Sequence, residues 1–239
     1  MMVPSVAEGW LSNRGVRLHY IESNPDAPAS LLSLVYIHGA YGKAEGFLPE
    51  MEALSPRRCV AVSLRGRGKS DSPETGYTLD HHISDIAALV NHLGLEWFCL
   101  MGWSVGVAYS IGYASRNPTS VAGLILLDYP ARYPAFPPQW VDRALSDPSM
   151  DWKPHVVRAI QRESAEVPLW DNLTKVQCPV MVIGGEQPEA LLKPGHIERY
   201  RQGLPRAEIV IFEDSGHNVS KPDFQRFIRT IRGFLEKID

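Results

Sequence analysis

LMGWSVGVAYS, residues 100–110, sets one serine between two glycines, after a hydrophobic run and before a string of small residues. A glycine on each side tolerates a backbone too crowded for larger side chains. Gly102-Trp103-Ser104-Val105-Gly106 therefore has two readings: a strained strand-to-helix turn that pushes a hydroxyl outward, or a plain Gly/Ser turn. The flanks favour the first. WFCLM (97–101) reads as a buried strand, and Gly106, Ala108, Gly112 and Ala114 would let a helix sit close against a sheet.

Toward the N-terminus, VRLHYIES (16–23) alternates in strand fashion. LLSLVYI (31–37), RCVAVSL (58–64), VAGLILL (121–127), VMVI (180–183) and EIVIF (208–212) are near-continuous apolar runs, suited to strands covered on both faces. Helical patterns lie between them. Ile83, Ile86, Ala87, Val90 and Leu93 make one apolar stripe; Phe224, Phe227, Ile228, Ile231, Phe234 and Leu235 make another. Strand–helix alternation over the whole length predicts an α/β fold with a doubly wound, mostly parallel sheet. Residues 129–177 break the rhythm with many prolines, Pro148 among them, three tryptophans and no convincing strand. Short helices are expected at about Gln139–Leu145 and Val156–Ser164. The segment reads as a small helical lid inserted between two strands of a single domain spanning 1–239.

Bulk properties narrow the function. A net charge of -3 leaves no electrostatic footprint for nucleic acid or an anionic membrane. No apolar run approaches the roughly 18 residues of a membrane span. Cys59, Cys99 and Cys178 are an odd, scattered set, which argues against a disulfide framework or a zinc site. MMVPSVAEGW has neither a basic nor an apolar export region, so a cytoplasmic protein is expected. Asn172-Leu-Thr174 and Asn218-Val-Ser220 match the glycosylation sequon and are read as chance in that setting.

Three features follow the order that a serine nucleophile requires. His38-Gly39-Ala40 ends an earlier strand, where a backbone N–H can face the site. His217 lies just beyond the last strand, in EDSGHNV. Several carboxylates fall between Ser104 and His217, so the chain order is Ser…Asp/Glu…His. In HGAYG (38–42), SLRGRGKSD (63–71), GWSVG (102–106), CPVMVIGGE (178–186) and DSGHNV (214–219), the chain resembles the α/β-hydrolase superfamily over nearly its whole length. The resemblance implies a Ser104–His217–acid triad, with an oxyanion hole from the backbone N–H groups of Ala40 and Val105.

The acid departs from the family's common pattern. Many relatives place an Asp shortly after the strand corresponding to VMVI, where this chain reads GGEQPEALL (184–192). Some members take it from the end of the preceding strand, and LILLDYP puts Asp128 there, at the active-site edge of the sheet. Asp128 is the preferred acid, Glu186 or Glu189 the alternative, and Asp214 a remoter one.

Other motifs take blander readings. His38 is read as a structural group that hydrogen-bonds the turn of the oxyanion loop. Adjacent His81 and His82 face different ways on a helix and lack partners for a metal, so they are read as surface residues. GRGKS (66–70) lacks the first glycine of a phosphate loop, that position being Ser63. Trp140, Trp152 and Trp170 line a substrate pocket or glue the lid to the body. The expected function is hydrolysis of a small-molecule carboxylic ester or other activated acyl bond, with no cofactor and no metal. Carbon–carbon bond hydrolysis and acyl transfer use the same triad, and a non-catalytic small-ligand receptor is the rival from another class.

Overall fold

The computed structural model describes residues 6–146 and 152–239. In chain order the strands are β1 (Val6–Asn13), β2 (Val16–Ser23), β3 (Ser33–Ile37), β4 (Cys59–Ser63), β5 (Phe98–Trp103), β6 (Val121–Leu127), β7 (Arg132–Tyr133), β8 (Val167–Pro168), β9 (Val180–Gly185) and β10 (Glu208–Phe212). The helices are α1 (Leu48–Ala53), α2 (Leu79–His92), α3 (Gly106–Arg116), α4 (Pro138–Ser146), α5 (Pro154–Glu163), α6 (Pro194–Gly203) and α7 (Phe224–Leu235).

Eight strands form one sheet in the order β1-β2-β4-β3-β5-β6-β9-β10. From β4 to β10 all neighbours are parallel, and β1 and β2 run antiparallel at one edge. The apolar runs are explained by two-sided burial. Along β3, Val35 and Ile37 face the core beneath α2 and α3, while Leu34 and Tyr36 face the core beneath α1 and α7. α2 and α7 bury the stripes read from the sequence, which fixes one helix on each side of the sheet. The chain leaves β3 for β4 on one side, then crosses to β5 on the other. The carboxyl ends of β3 and β5 therefore flank a topological switch point, where open α/β sheets hold their ligands. His38 follows the first of these strands and Ser104 the second.

Between β6 and β9 the chain makes the expected excursion from the sheet. It holds α4 and α5 within a residue or two of the predicted helices, together with a two-residue pairing of β7 with β8 that alternation alone does not reveal. Residues 147–151, Pro148 among them, lie outside the described residues, as do residues 1–5 of the N-terminal stretch.

Two readings need correction. The stretch from Val6 carries a full strand, β1, that the apolar-run criterion passes over. Its outer half is largely exposed, so it lacks the burial signature of the central strands. A hairpin signal was present: Arg14 and Gly15 both take positive φ, +52° and +82°, and join β1 to β2 through a tight turn. His82 is not a surface residue. It is fully buried, because it falls on the same face of α2 as Leu79, Ile86 and Leu89.

Candidate active site

Ser104 sits in the turn between β5 and α3 with φ +56°, a left-handed conformation uncommon for a residue with a Cβ. Strain of this kind costs on the order of 1–3 kcal/mol and persists only where surrounding structure imposes it. Here Ser104 N–H donates to Leu127 O at 3.0 Å, tying the turn to β6. Gly106 explains one flanking glycine: a Cβ there would lie 2.5 Å from Ile37 O, so α3 can start against β3 only without a side chain.

Ser104 Oγ–H donates to His217 Nε2 at 3.0 Å, and His217 Nδ1–H donates to Asp128 Oδ2 at 2.8 Å. Asp128 fixes that tautomer, since an ionised carboxylate only accepts. Asp128 follows β6 directly, also in a left-handed conformation (φ +47°), and its side chain is fully buried. Its carboxylate additionally accepts backbone N–H bonds from Leu191 (2.8 Å), Leu192 (3.2 Å) and Gly185 (3.3 Å). These donors belong to the GGEQPEALL stretch. The segment that would carry the acid in the common pattern instead supplies backbone donors to Asp128, the candidate acid at the end of the preceding strand. Glu186 and Glu189 are exposed, and the Nδ1 position they would need is taken by Asp128. Asp214 pairs with Arg226. The His217 ring stacks on Trp103 (centroids 5.4 Å apart), and Trp103 Nε1–H donates to His217 O at 3.2 Å. The residue before the serine thus steadies the histidine loop, a role the motif did not reveal.

The oxyanion-loop candidates also come to the serine. A Cβ on Gly39 would lie 2.7 Å from Ser104 Cβ, so the loop passes directly over Ser104. Ala40 and Val105 are buried, and neither backbone N–H donates to any acceptor among the described residues. Unpaired buried N–H groups are rare, and two of them beside one serine suit a waiting acceptor. His38 orients the first. Its Nε2 accepts from Leu64 N–H at 3.0 Å and its Nδ1–H donates to Gly39 O at 2.6 Å. With the Gly39 carbonyl tied back, the planar trans peptide turns Ala40 N–H the opposite way. Burial, reinforced by the positive charge of Arg67, pulls the His38 imidazole down to about 3 and keeps it neutral for this double role.

Above the loop, Tyr41 stacks on Trp140 at 5.7 Å and meets Trp152 edge-on at 5.5 Å. Trp170 lies apart, packed on Tyr200 and beneath Arg199. A separate cleft of about 480 Å³ opens beside Trp103, lined by Phe47, Glu50 and Phe224 among others; Ser104, His217 and Asp128 do not line it.

Residues 33–153 match the model of the alpha/beta hydrolase fold family, a span of half the chain that takes in the oxyanion loop, the serine turn and Asp128. The chain belongs to this family. It is an enzyme of the α/β-hydrolase class with the expected doubly wound sheet. Among curated relatives it is 32% identical over 129 residues to a 2-(acetamidomethylene)succinate hydrolase from Mesorhizobium japonicum, covering 54% of this chain and 46% of that one. It is 26% identical over 269 aligned positions to an N-formylmaleamate deformylase from Pseudomonas putida, covering 97% of each. Among solved structures, an esterase from Rhodococcus sp. superposes with a TM-score of 0.80 at 20% identity over the full length of both chains, which shows shared fold. No helix among the described residues is long and apolar enough to cross a membrane.

Proposed function

We propose that this α/β hydrolase cleaves a carboxylic ester or another activated acyl bond of a small molecule, using Ser104 as nucleophile, His217 as general base and Asp128 as the orienting acid. The observation that carries the reading is the unbroken chain of hydrogen bonds from Ser104 Oγ through His217 to the buried Asp128. A serine hydroxyl is a weak nucleophile until an imidazole takes its proton. Ser104 Oγ attacks the acyl carbon as its proton passes to His217 Nε2. Asp128 stabilises the imidazolium, and Ala40 N–H and Val105 N–H receive the developing oxyanion. Collapse expels the leaving group with the proton from His217. Water then repeats the sequence on the acyl-enzyme. No step in this cycle calls for a metal or an organic cofactor.

The excursion between β6 and β9 acts as a lid in this reading, with Tyr41, Trp140 and Trp152 shaping an apolar acyl or alcohol pocket. The names of the two curated relatives place an acyl group on nitrogen, so activated N-acyl compounds belong beside esters among the candidate substrates. The test is turnover of a panel of p-nitrophenyl acetate, p-nitrophenyl butyrate and N-acyl anilides, with wild type and Ser104→Ala. Turnover by wild type that disappears in a folded Ser104→Ala supports the reading. Equal turnover by both, or none by wild type, contradicts it.

A further inference from the structure

Three arginines are almost completely buried, and two have carboxylate partners. Arg57 pairs with Asp239 at 2.6 Å. Arg65 makes a two-point contact with Asp85, at 2.6 and 2.8 Å, and donates a third bond to Gly76 O. Arg67, two residues further along the same loop and 4% exposed, has no carboxylate within 4.0 Å among the described residues. Its Nε–H donates to Ala40 O at 3.4 Å, and its Nη1 donates to Arg65 O at 2.7 Å and to His82 Nε2 at 2.9 Å. Among the described residues, Nη2 and the nearby buried hydroxyl of Tyr109 find no other partner at ordinary hydrogen-bond geometry, and the hydroxyl and the guanidinium interact with each other.

Among the described residues, the groups that Arg67 bonds to or packs against carry no negative charge, the Trp152 ring 6.0 Å from its guanidinium carbon included. His82 donates its Nδ1–H to Thr78 O, so its Nε2 is the lone-pair nitrogen that accepts from Arg67. Burial, with Arg67 as the next cause, holds His38 and His82 below the ordinary imidazole range. The Tyr109 ring lies flat on His82, 4.4 Å between centroids, and Tyr109 belongs to α3, the helix that begins beside Val105. Arg67 therefore touches the Ala40 side of the candidate oxyanion hole directly and reaches the Val105 side through His82 and Tyr109. A buried charge without a counter-ion costs several kcal/mol. Its position beside the two candidate oxyanion donors supplies a reason for keeping it.

We propose that Arg67 is a positioning residue of the oxyanion hole: it holds the Ala40 carbonyl away from the hole and keeps next to it a positive charge that no carboxylate of the described residues pairs. The proposal deepens the serine-hydrolase reading and rests on it. His38 ties back the Gly39 carbonyl and Arg67 the next one, so two successive acceptors are kept from turning toward the oxyanion. The Ala40 contact is long for a hydrogen bond, so the guanidinium acts on that carbonyl as much by charge as by direction. The missing counter-charge appears only as the acyl oxygen becomes negative. An interaction made in the transition state and absent from the ground state raises kcat and leaves substrate binding alone.

Arg67→Gln removes the charge at similar reach, and Arg67→Lys keeps a cation that cannot serve Ala40, Arg65 and His82 together. The experiment measures kcat and KM on p-nitrophenyl butyrate, the rate of inactivation by a fluorophosphonate, and folding by circular dichroism. Arg67→Gln is expected to lower kcat about 10- to 100-fold with KM within about threefold. Its inactivation should slow in parallel, because phosphonylation also builds negative oxygen in the hole. Arg67→Lys is expected to fall between Gln and wild type. A folded Arg67→Gln with kcat within twofold of wild type overturns the proposal, and so does a raised KM at unchanged kcat, the mark of a substrate anchor. Should Arg67→Gln not fold, Arg67→Lys decides: undiminished kcat overturns the proposal, and a lower kcat at unchanged KM sustains it. Failure of the fluorophosphonate to label Ser104 in wild type overturns the serine reading itself. Labelled wild type with insensitive Arg67 variants overturns this inference alone.

Discussion

Asp128 and Trp140 lie a short way apart on the same departure from β6, yet they are held by different forces. Asp128 is fixed by three backbone N–H donors and His217, all presented by the ends of the sheet or the loops leaving it. Trp140 is held by rings: Phe136 at 4.5 Å, Tyr41 at 5.7 Å and Trp152 at 6.2 Å between centroids. Directional bonds to a rigid sheet tolerate little displacement, whereas aromatic contacts repack with modest loss. Under the proposed function, the chemistry belongs to the sheet edge and the choice of substrate to the aromatic wall.

Substitutions at the sheet edge should be the most damaging. Ser104→Ala is expected to lower kcat by on the order of 10⁶ while leaving the fold intact, measured by ester turnover alongside circular dichroism. Asp128→Asn should cost on the order of 10³–10⁴ in kcat, because the carboxamide no longer enforces the imidazole tautomer. A comparable loss from a substitution in the aromatic wall would erase the distinction between the two regions.

Acid should weaken the fold at the oxyanion loop. His38 and His82 are held neutral in the folded protein, His38 down to about 3, whereas the unfolded chain takes up their protons near the ordinary histidine value of about 6.5. The unfolded state then binds more protons between those limits. Stability from the His38 ring is complete above about pH 6.5 and is lost as pH falls toward 3, and the His82 ring adds a loss in the same direction. Urea-unfolding midpoints at pH 7.5 and 4.5 measure this, and equal midpoints would remove the neutral-histidine account. Trp140→Ala, on the other side of the comparison, should change the ratio of kcat/KM between acetyl and butyryl esters by about tenfold, mainly through KM. Smallest of all, Glu186→Gln and Glu189→Gln should each alter kcat by less than about tenfold, since both side chains are exposed and neither takes the Nδ1 position at His217.

The same contrast explains what could be read from the sequence. The central strands announced themselves because two-sided burial makes apolar runs, and the elbow because Gly106 must abut Ile37 O. Asp128 stood out as the candidate acid because it ends such a run, and the folded chain shows GGEQPEALL donating backbone N–H bonds to its carboxylate. β1 was missed because an exposed edge strand carries little apolar pattern. His82 was misplaced because adjacent histidines look polar, yet its spacing from Leu79 and Ile86 puts it on the buried face. That Arg67 has no carboxylate partner among the described residues had no sequence signature. Arg65 and Arg67 look alike in the motif, and only the placement of Asp85 distinguishes them.

Labelling with a fluorophosphonate, followed by peptide mapping of the adduct, tests the central claim most directly. One adduct per chain on Ser104, lost in Ser104→Ala and formed far more slowly in His217→Ala, is the predicted result. Stoichiometric adduct on another residue, or undiminished labelling without His217, would contradict the assignment of Ser104 and His217 as nucleophile and base.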